Sequence, residues 1–145
     1  MGFLDFLKLP SYNSDNLDSP QATVRHREII LQKLFLKNIY LDFYRRIQSN
    51  LEGLTPCQTV VELGSGGGFF KDIYPHLITS DIIEISNVDM IFSGLDMPFK
   101  AQSVDAFVMV DVLHHIPDAR AFFQEASRCL RPGGRMIFIE PANTL

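Results

Sequence analysis

Cysteine is scarce. Only Cys57 and Cys129 occur in 145 residues, far apart and without metal-ligand spacing, so reduced thiols in a cytoplasmic protein are expected rather than a disulfide framework or a zinc clamp. Long apolar runs are missing too: none approaches the roughly 20 residues that cross a bilayer. The opening MGFLDFLKLP has an acid inside its apolar stretch and no basic flank, which argues against a secretory leader. Phe6 stands where an N-myristoylation motif wants Ser or Thr. Internal repeats and low-complexity tracts are absent. What is there is ordinary for a globular chain, 46% hydrophobic and 21% charged with a mean hydropathy of +0.07, and the length suits one domain with a real core.

Charge is unevenly spread. The net charge is −4, yet residues 21–50 carry Arg25, Arg27, Lys33, Lys37, Arg45 and Arg46 against Glu28 and Asp42, which is 6 − 2 = +4. A basic segment can mark nucleic acid or an anionic membrane. The favoured reading is the solvated face of a helix, with no nucleic-acid partner and with membrane contact as the weaker alternative.

Glycine and proline are also missing between Gln21 and Leu51. There Leu36, Tyr40, Phe43, Ile47 and Leu51 step by four, three, four and four, so they share one helical face. One long helix or two abutting ones are expected, started by Ser19-Pro20 and stopped by Gly53 and Pro56. Residues 1–20 read as a flexible lead-in. The chain then divides into a helical segment over 21–53 and a core over 56–145. In the core, strands are expected at 59–63, 77–82, 88–92, 104–110 and 135–140, with helices after the glycines and over 118–130, the latter capped by Gly133 and Gly134. Strands alternating with helices predict an α/β fold with a doubly wound, Rossmann-like parallel sheet and an N-terminal helical extension.

The stretch VVELGSGGGFF (60–70) follows the first strand, where a doubly wound sheet binds its ligand. Two nucleotide signatures fail there. A P-loop counted from Gly64 needs Lys at position 70, which is Phe70; the dinucleotide fingerprint needs a small residue at position 69, which is Phe69.

Several motifs in order, from Val60 to Pro141, resemble the class I S-adenosylmethionine-dependent methyltransferases, in the branch that includes the quinone-biosynthesis C-methyltransferases. They are Glu62-Leu-Gly-Ser-Gly-Gly-Gly68, Met97-Pro98-Phe99, Ser103-Val104-Asp105, VLHHI (112–116) and LRPGG (130–134). The resemblance implies S-adenosyl-L-methionine as cofactor, with Glu62, Gly64, Ser65, Gly66 and Gly68 around its methionine portion. It implies Asp81, 81 − 64 = 17 positions past the first glycine, on the ribose, with Ile82 beside it. Ser93, Gly94 and Leu95 fall where the family contacts adenine, although an acid usually holds the Ser93 position. Asp111 and Val112 would lie against the cofactor.

The tetrapeptide marking DNA-adenine and glutamine N-methyltransferases is replaced by Asp111-Val-Leu-His114, which leaves small-molecule, lipid or sugar acceptors. The catalytic residues stay open. Asp111, His114 and His115 are general-base candidates; for the histidines, one packed under the cofactor loop and one on the surface is the favoured reading, with no carboxylate or cysteine spaced to complete a zinc site and no metal expected. Family members continue past the fifth strand, so a sheet incomplete at its C-terminal edge is expected, with dimerisation along residues 135–140 covering that edge. The alternative to an enzyme is a non-catalytic cofactor-binding or partner-docking domain.

Overall fold

The computed structural model describes residues 19–54 and 58–142. Residues 1–18 of the expected 1–20 lead-in, Pro56 of the expected helix stop, and Cys57 lie outside them. Two helices come first, α1 (Pro20–Gln32) and α2 (Leu34–Leu51). Ser19 caps α1 by accepting the Ala22 N–H at 3.1 Å, with Pro20 at the first helical position. The break falls at Lys33, whose backbone is extended (φ −89, ψ 100). Gly53, at φ +81, ends the segment.

A five-stranded parallel sheet follows in the order β3-β2-β1-β4-β5. The elements are β1 (Val60–Leu63), the short helix α3 (Phe70–Ile73), β2 (Ile78–Asp81), β3 (Met90–Ile91), β4 (Val104–Val110), a single 3-10 turn (Leu113–His115), α4 (Ala119–Cys129) and β5 (Leu130–Ile139). The expected α/β, Rossmann-like doubly wound sheet is what forms. β1 and β4 are buried almost throughout because both sheet faces are covered. Alternate side chains serve opposite layers. Val60, Ala106 and Val108 meet Tyr44, Ile47 and Leu51 of α2 and Phe70 of α3, whereas Val61, Phe107 and Met109 meet Phe122, Ala126 and Cys129 of α4. Phe70, Phe107 and Phe122 are fully buried, each worth roughly 2–3 kcal/mol against exposure.

Two expectations are corrected. The third strand shrinks from 88–92 to two residues, because the Asp89 carboxylate takes the Thr79 N–H (2.8 Å) and hydroxyl (2.9 Å) and pairs with Lys71. Gly133 and Gly134 are not helix caps. α4 ends at Cys129 with Leu130 extended, and β5 starts there rather than at 135. The register jumps from Val104↔Leu130 to Ala106↔Arg135, so RPGG is the body of a bulge, where Pro132 costs no regular ladder bond. Asp105 pins it, bonding Arg131 Nη1 with both oxygens at 2.9 Å while accepting the Thr59 N–H at 2.7 Å. β5 pairs only with β4, so its outer edge has no strand partner among the described residues.

Candidate functional site

The carboxyl ends of β1 and β4 open onto a cavity of about 140 Å³, lined by Tyr40, Tyr44, Glu62, Gly64 to Gly68, Val110, Asp111 and Val112. It exists because β1 stops at Leu63 and the chain turns back at once. Gly64 sits at φ +63, and a Cβ there would lie 2.6 Å from a Val112 methyl, so only glycine lets β1 and the end of β4 approach this closely. Gly67 is where α1 packs on the loop: a Cβ would come 2.9 Å from the Arg27 backbone nitrogen and 3.1 Å from the His26 Cβ. Arg27 ties the same corner down, donating to the Gly68 carbonyl and, at 2.8 Å, to Asp72.

Glu62 is the chemically unusual group. Strand alternation turns it toward α2, and only 4% of its surface is exposed. Burial pushes its carboxyl up to about 7; the Ser65 hydrogen bond opposes the rise, Asp81 adds to it and Arg27 opposes it. The loop is wired to β2. The Ser65 N–H donates to the Ser80 carbonyl at 2.9 Å, and the Ser80 hydroxyl to the Glu62 carbonyl at 2.8 Å. Asp81 Oδ2 accepts the Gly66 N–H at 3.0 Å and Oδ1 the Ile83 N–H at 3.1 Å.

At the β4 end, Asp111 adopts φ +61, a conformation that Asp tolerates better than most side chains. Its N–H donates to Ile139 O at 2.8 Å. Glu140, just past β5, holds the turn that follows: Oε1 accepts the N–H groups of Val112 (2.9 Å) and Leu113 (2.7 Å), and Oε2 meets His114 Nδ1 at 3.0 Å. Partial burial raises the Glu140 carboxyl, but these partners outweigh it and the net shift is downward.

Seven of the anticipated residues therefore converge: Glu62, Gly64, Ser65, Gly66, Gly68, Asp111 and Val112 line one cavity. Asp81 touches its loop through Gly66. Ile82, 70% exposed, lies outside the lining, as do Ser93, Gly94 and Leu95. Those three form a tight turn in which the Ser93 hydroxyl accepts the Leu95 N–H at 3.2 Å, and a Gly94 Cβ would meet the Phe122 ring at 3.2 Å. Two expectations about the histidines fail. Both are exposed, and His114 meets Glu140 just past the end of β5. Carboxylates do reach His114, with Asp111 Oδ1 at 3.8 Å and Glu140 Oε2 at 3.0 Å; the three residues could offer ligand atoms within 4.8 Å of one another. Glu140 lies too far along the chain for local spacing to reveal it.

Tyr40 and Tyr44 were not anticipated in the lining. The Tyr44 hydroxyl accepts the Phe69 N–H at 3.0 Å, and its ring stacks on Phe70 at 4.8 Å. Burial first, then Glu62, raises the Tyr44 phenol; at Tyr40 burial leads, with Asp111 and then Glu62 adding to the rise. The one signal for them was the apolar helical face that includes Tyr40.

A methyltransferase-domain family model matches residues 61–138. The chain is 27% identical over 124 residues to the demethylmenaquinone methyltransferase of Tropheryma whipplei (strain Twist), covering 71% of this chain and 52% of that one. It is 23% identical over 97 residues to the ubiquinone biosynthesis O-methyltransferase of Xanthomonas axonopodis pv. citri, covering 54% and 41%. The chain thus spans about half the length of the curated relatives it matches. Among solved structures, an S-adenosyl-L-methionine-dependent methyltransferase from Methanococcus maripaludis superposes with a TM-score of 0.60 at 17% identity, covering 89% of this chain and 67% of that one. A Thermotoga maritima SAM-dependent methyltransferase gives 0.55 at 20% identity, covering 79% and 60%. These two show a shared fold.

Proposed function

The chain belongs to the class I S-adenosylmethionine-dependent methyltransferases, by its match to their methyltransferase domain, and from that premise we propose that it binds S-adenosyl-L-methionine and directs methyl transfer to a small-molecule, lipid or sugar acceptor. The observation that carries the reading is the buried Glu62 carboxyl facing a glycine-walled cavity at the ends of β1 and β4. A carboxylate whose burial outweighs its partners is stabilised by a nearby cation, and the cofactor's amino group is such a cation.

The residues fit the cofactor. The cavity of about 140 Å³ is smaller than the roughly 300 Å³ or more of a typical ligand pocket, so it suits the methionine end, with Glu62 and the N–H groups of the loop as its partners. Asp81, tied to the loop through Gly66, and the exposed Ile82 would serve the ribose, and the turn at Ser93, Gly94 and Leu95 the adenine. When bound, the cofactor supplies an electrophilic methyl group. The protein's part is then to orient the acceptor and exclude water: Asp111, Tyr40 and Tyr44 wall the space beside Glu62. For an acceptor with a proton to lose, Asp111 and the Glu140-held His114 are the nearby bases. The curated relatives, named for demethylmenaquinone and for ubiquinone biosynthesis, support a small-molecule acceptor.

A second reading is a cofactor-binding domain that does not itself catalyse, with the same Glu62 cavity as its site. Calorimetric titration with S-adenosylmethionine, S-adenosylhomocysteine, NADH and ATP tests the first. Micromolar binding of the first pair alone, abolished in Gly66→Arg and weakened in Asp81→Ala, is expected. A folded chain that binds neither member of that pair refutes the assignment. Binding with no methyl transfer to any acceptor class would favour the second reading.

A further inference from the structure

Eight large apolar side chains are exposed among the described residues, and four of them, Val24, Leu31, Leu34 and Phe35, fall within twelve positions. The other four, Ile82, Ile91, Phe123 and Met136, are scattered over the sheet ends and α4. Val24 and Leu31 are seven apart in α1 and share its outer stripe, while Thr23, Ile29 and Ile30 are buried on the other side. The chain then breaks at Lys33, and Leu34 and Phe35 open α2 at 63% and 54% exposure. The inner face of α2, with Tyr44, Ile47 and Leu51 buried over the sheet and Tyr40 against the cavity, accounts for that helix's apolar periodicity. It leaves this corner unexplained.

Charge separates along the chain in the same way. Residues 21–50 sum to +4 in a chain of −4, so the remaining residues sum to −4 − 4 = −8. Lys33 lies in the break, and Lys37 follows Phe35 by two residues. Exposed Leu and Phe beside Lys is the composition that settles at the boundary between headgroups and acyl chains, and cations near an anionic leaflet add an attraction that salt screens. No helix among the described residues is long and apolar enough to cross a membrane, so contact through these residues would be peripheral.

We propose that the α1–α2 corner docks on an anionic lipid bilayer, with Leu31, Leu34 and Phe35 entering the headgroup boundary and Lys37 meeting lipid phosphates. This reading is independent of the chemistry in the cavity, although the docking corner and the tyrosine wall belong to the same pair of helices.

The sequence contains no tryptophan, so Phe35→Trp in the full chain is a single fluorophore at the corner. With vesicles of phosphatidylcholine mixed with phosphatidylglycerol, its emission is expected to shift to the blue and to be quenched by lipids brominated on their acyl chains. Pure phosphatidylcholine and high salt should each remove most of the effect. Lys37→Gln should weaken co-sedimentation of the wild-type background roughly fivefold, the attraction of about one cation. Leu34→Glu should abolish it while leaving circular dichroism and S-adenosylhomocysteine binding unchanged, since the side chain is exposed. Indole emission from the Phe35→Trp chain that mixed vesicles leave unmoved would overturn the proposal, even if the chain sediments with them. So would a blue shift that appears without lipid, grows with protein concentration and vanishes in Leu34→Glu, which would make a second copy the occupant of the corner.

Discussion

Glu62→Gln separates the fold's need for that side chain from the ligand's. The carboxyl rises from 4.5 to about 7 in the folded chain, mainly by burial. The native state therefore holds this proton more tightly than the unfolded state does. Its contribution to stability is fully present below pH 4.5 and is lost as pH climbs through 7. The shift of 7 − 4.5 = 2.5 units corresponds to about 3 kcal/mol at 1.36 kcal/mol per unit. Water reaching the cavity reduces that figure. Urea unfolding from pH 5 to 8.5 should show the wild type losing stability with rising pH relative to Glu62→Gln. The variant should be the more stable chain at pH 8, by about 3 kcal/mol less roughly 1 kcal/mol for a poorer hydrogen-bond set. Parallel stability curves for the two proteins would refute a Glu62 whose burial outweighs its partners.

The same proton should govern the ligand. An ammonium group next to Glu62 favours the carboxylate, so cofactor binding below pH 7 must expel the proton. S-adenosylhomocysteine affinity should then fall about tenfold from pH 8 to pH 6. Calorimetry in two buffers of different ionisation enthalpy should count close to one proton released at pH 6. Glu62→Gln should bind weakly with no such slope. Tight, pH-independent binding in that variant would place the amino group somewhere other than Glu62.

Two further substitutions test the scaffold of the site. Gly64→Ala meets both a left-handed backbone and the Val112 methyls at 2.6 and 2.8 Å, so a loss of roughly 2–4 kcal/mol is expected on denaturant titration. Val112→Ala in the same chain should recover the steric share alone, and full recovery would show the backbone conformation to be unimportant. Tyr44→Phe keeps the ring on Phe70 but removes the acceptor of the Phe69 N–H. A loss of about 1–3 kcal/mol is expected for the orphaned donor, and an unchanged unfolding midpoint would mean that this hydrogen bond contributes nothing net.

The parts legible in the sequence are those set by local rules. β4 was expected over 104–110 and forms over Val104–Val110, because a continuous apolar run bounded by polar residues has few other uses. Ser19-Pro20 placed the start of α1 for an equally local reason, a side-chain cap followed by a preset φ. β3 and β5 were misjudged where a distant side chain intervenes. Asp89 substitutes for ladder bonds beside β3, and Asp105 with Arg131 holds the bulge that moves the start of β5 five residues earlier. A carboxylate that replaces a backbone partner leaves no trace in hydrophobic periodicity.

The site divides along the same line. Glu62 and the glycines are contiguous, and the need for close backbone approach is written into the glycines, so Glu62, Gly64, Ser65, Gly66 and Gly68 meet in one cavity, joined by Asp111 and Val112, which were expected from the family resemblance. The tyrosine wall and the Glu140 clamp depend instead on contacts between distant segments: Tyr44 reaches Phe69 over 25 positions, and Glu140 reaches Val112 over 28. Both remote groups satisfy backbone N–H donors beside the cavity, at Phe69 in one case and at Val112 and Leu113 in the other. Those donors belong to turns that glycine, or Asp111 at positive φ, makes irregular, and irregular backbone near a buried site must find partners outside its own element. The unread part of the site therefore follows from the part that could be read. The irregular turns at the glycine loop and after Asp111 require polar side chains from elsewhere to close their hydrogen bonds, and only their addresses, Tyr44 for the first and Glu140 for the second, awaited the fold.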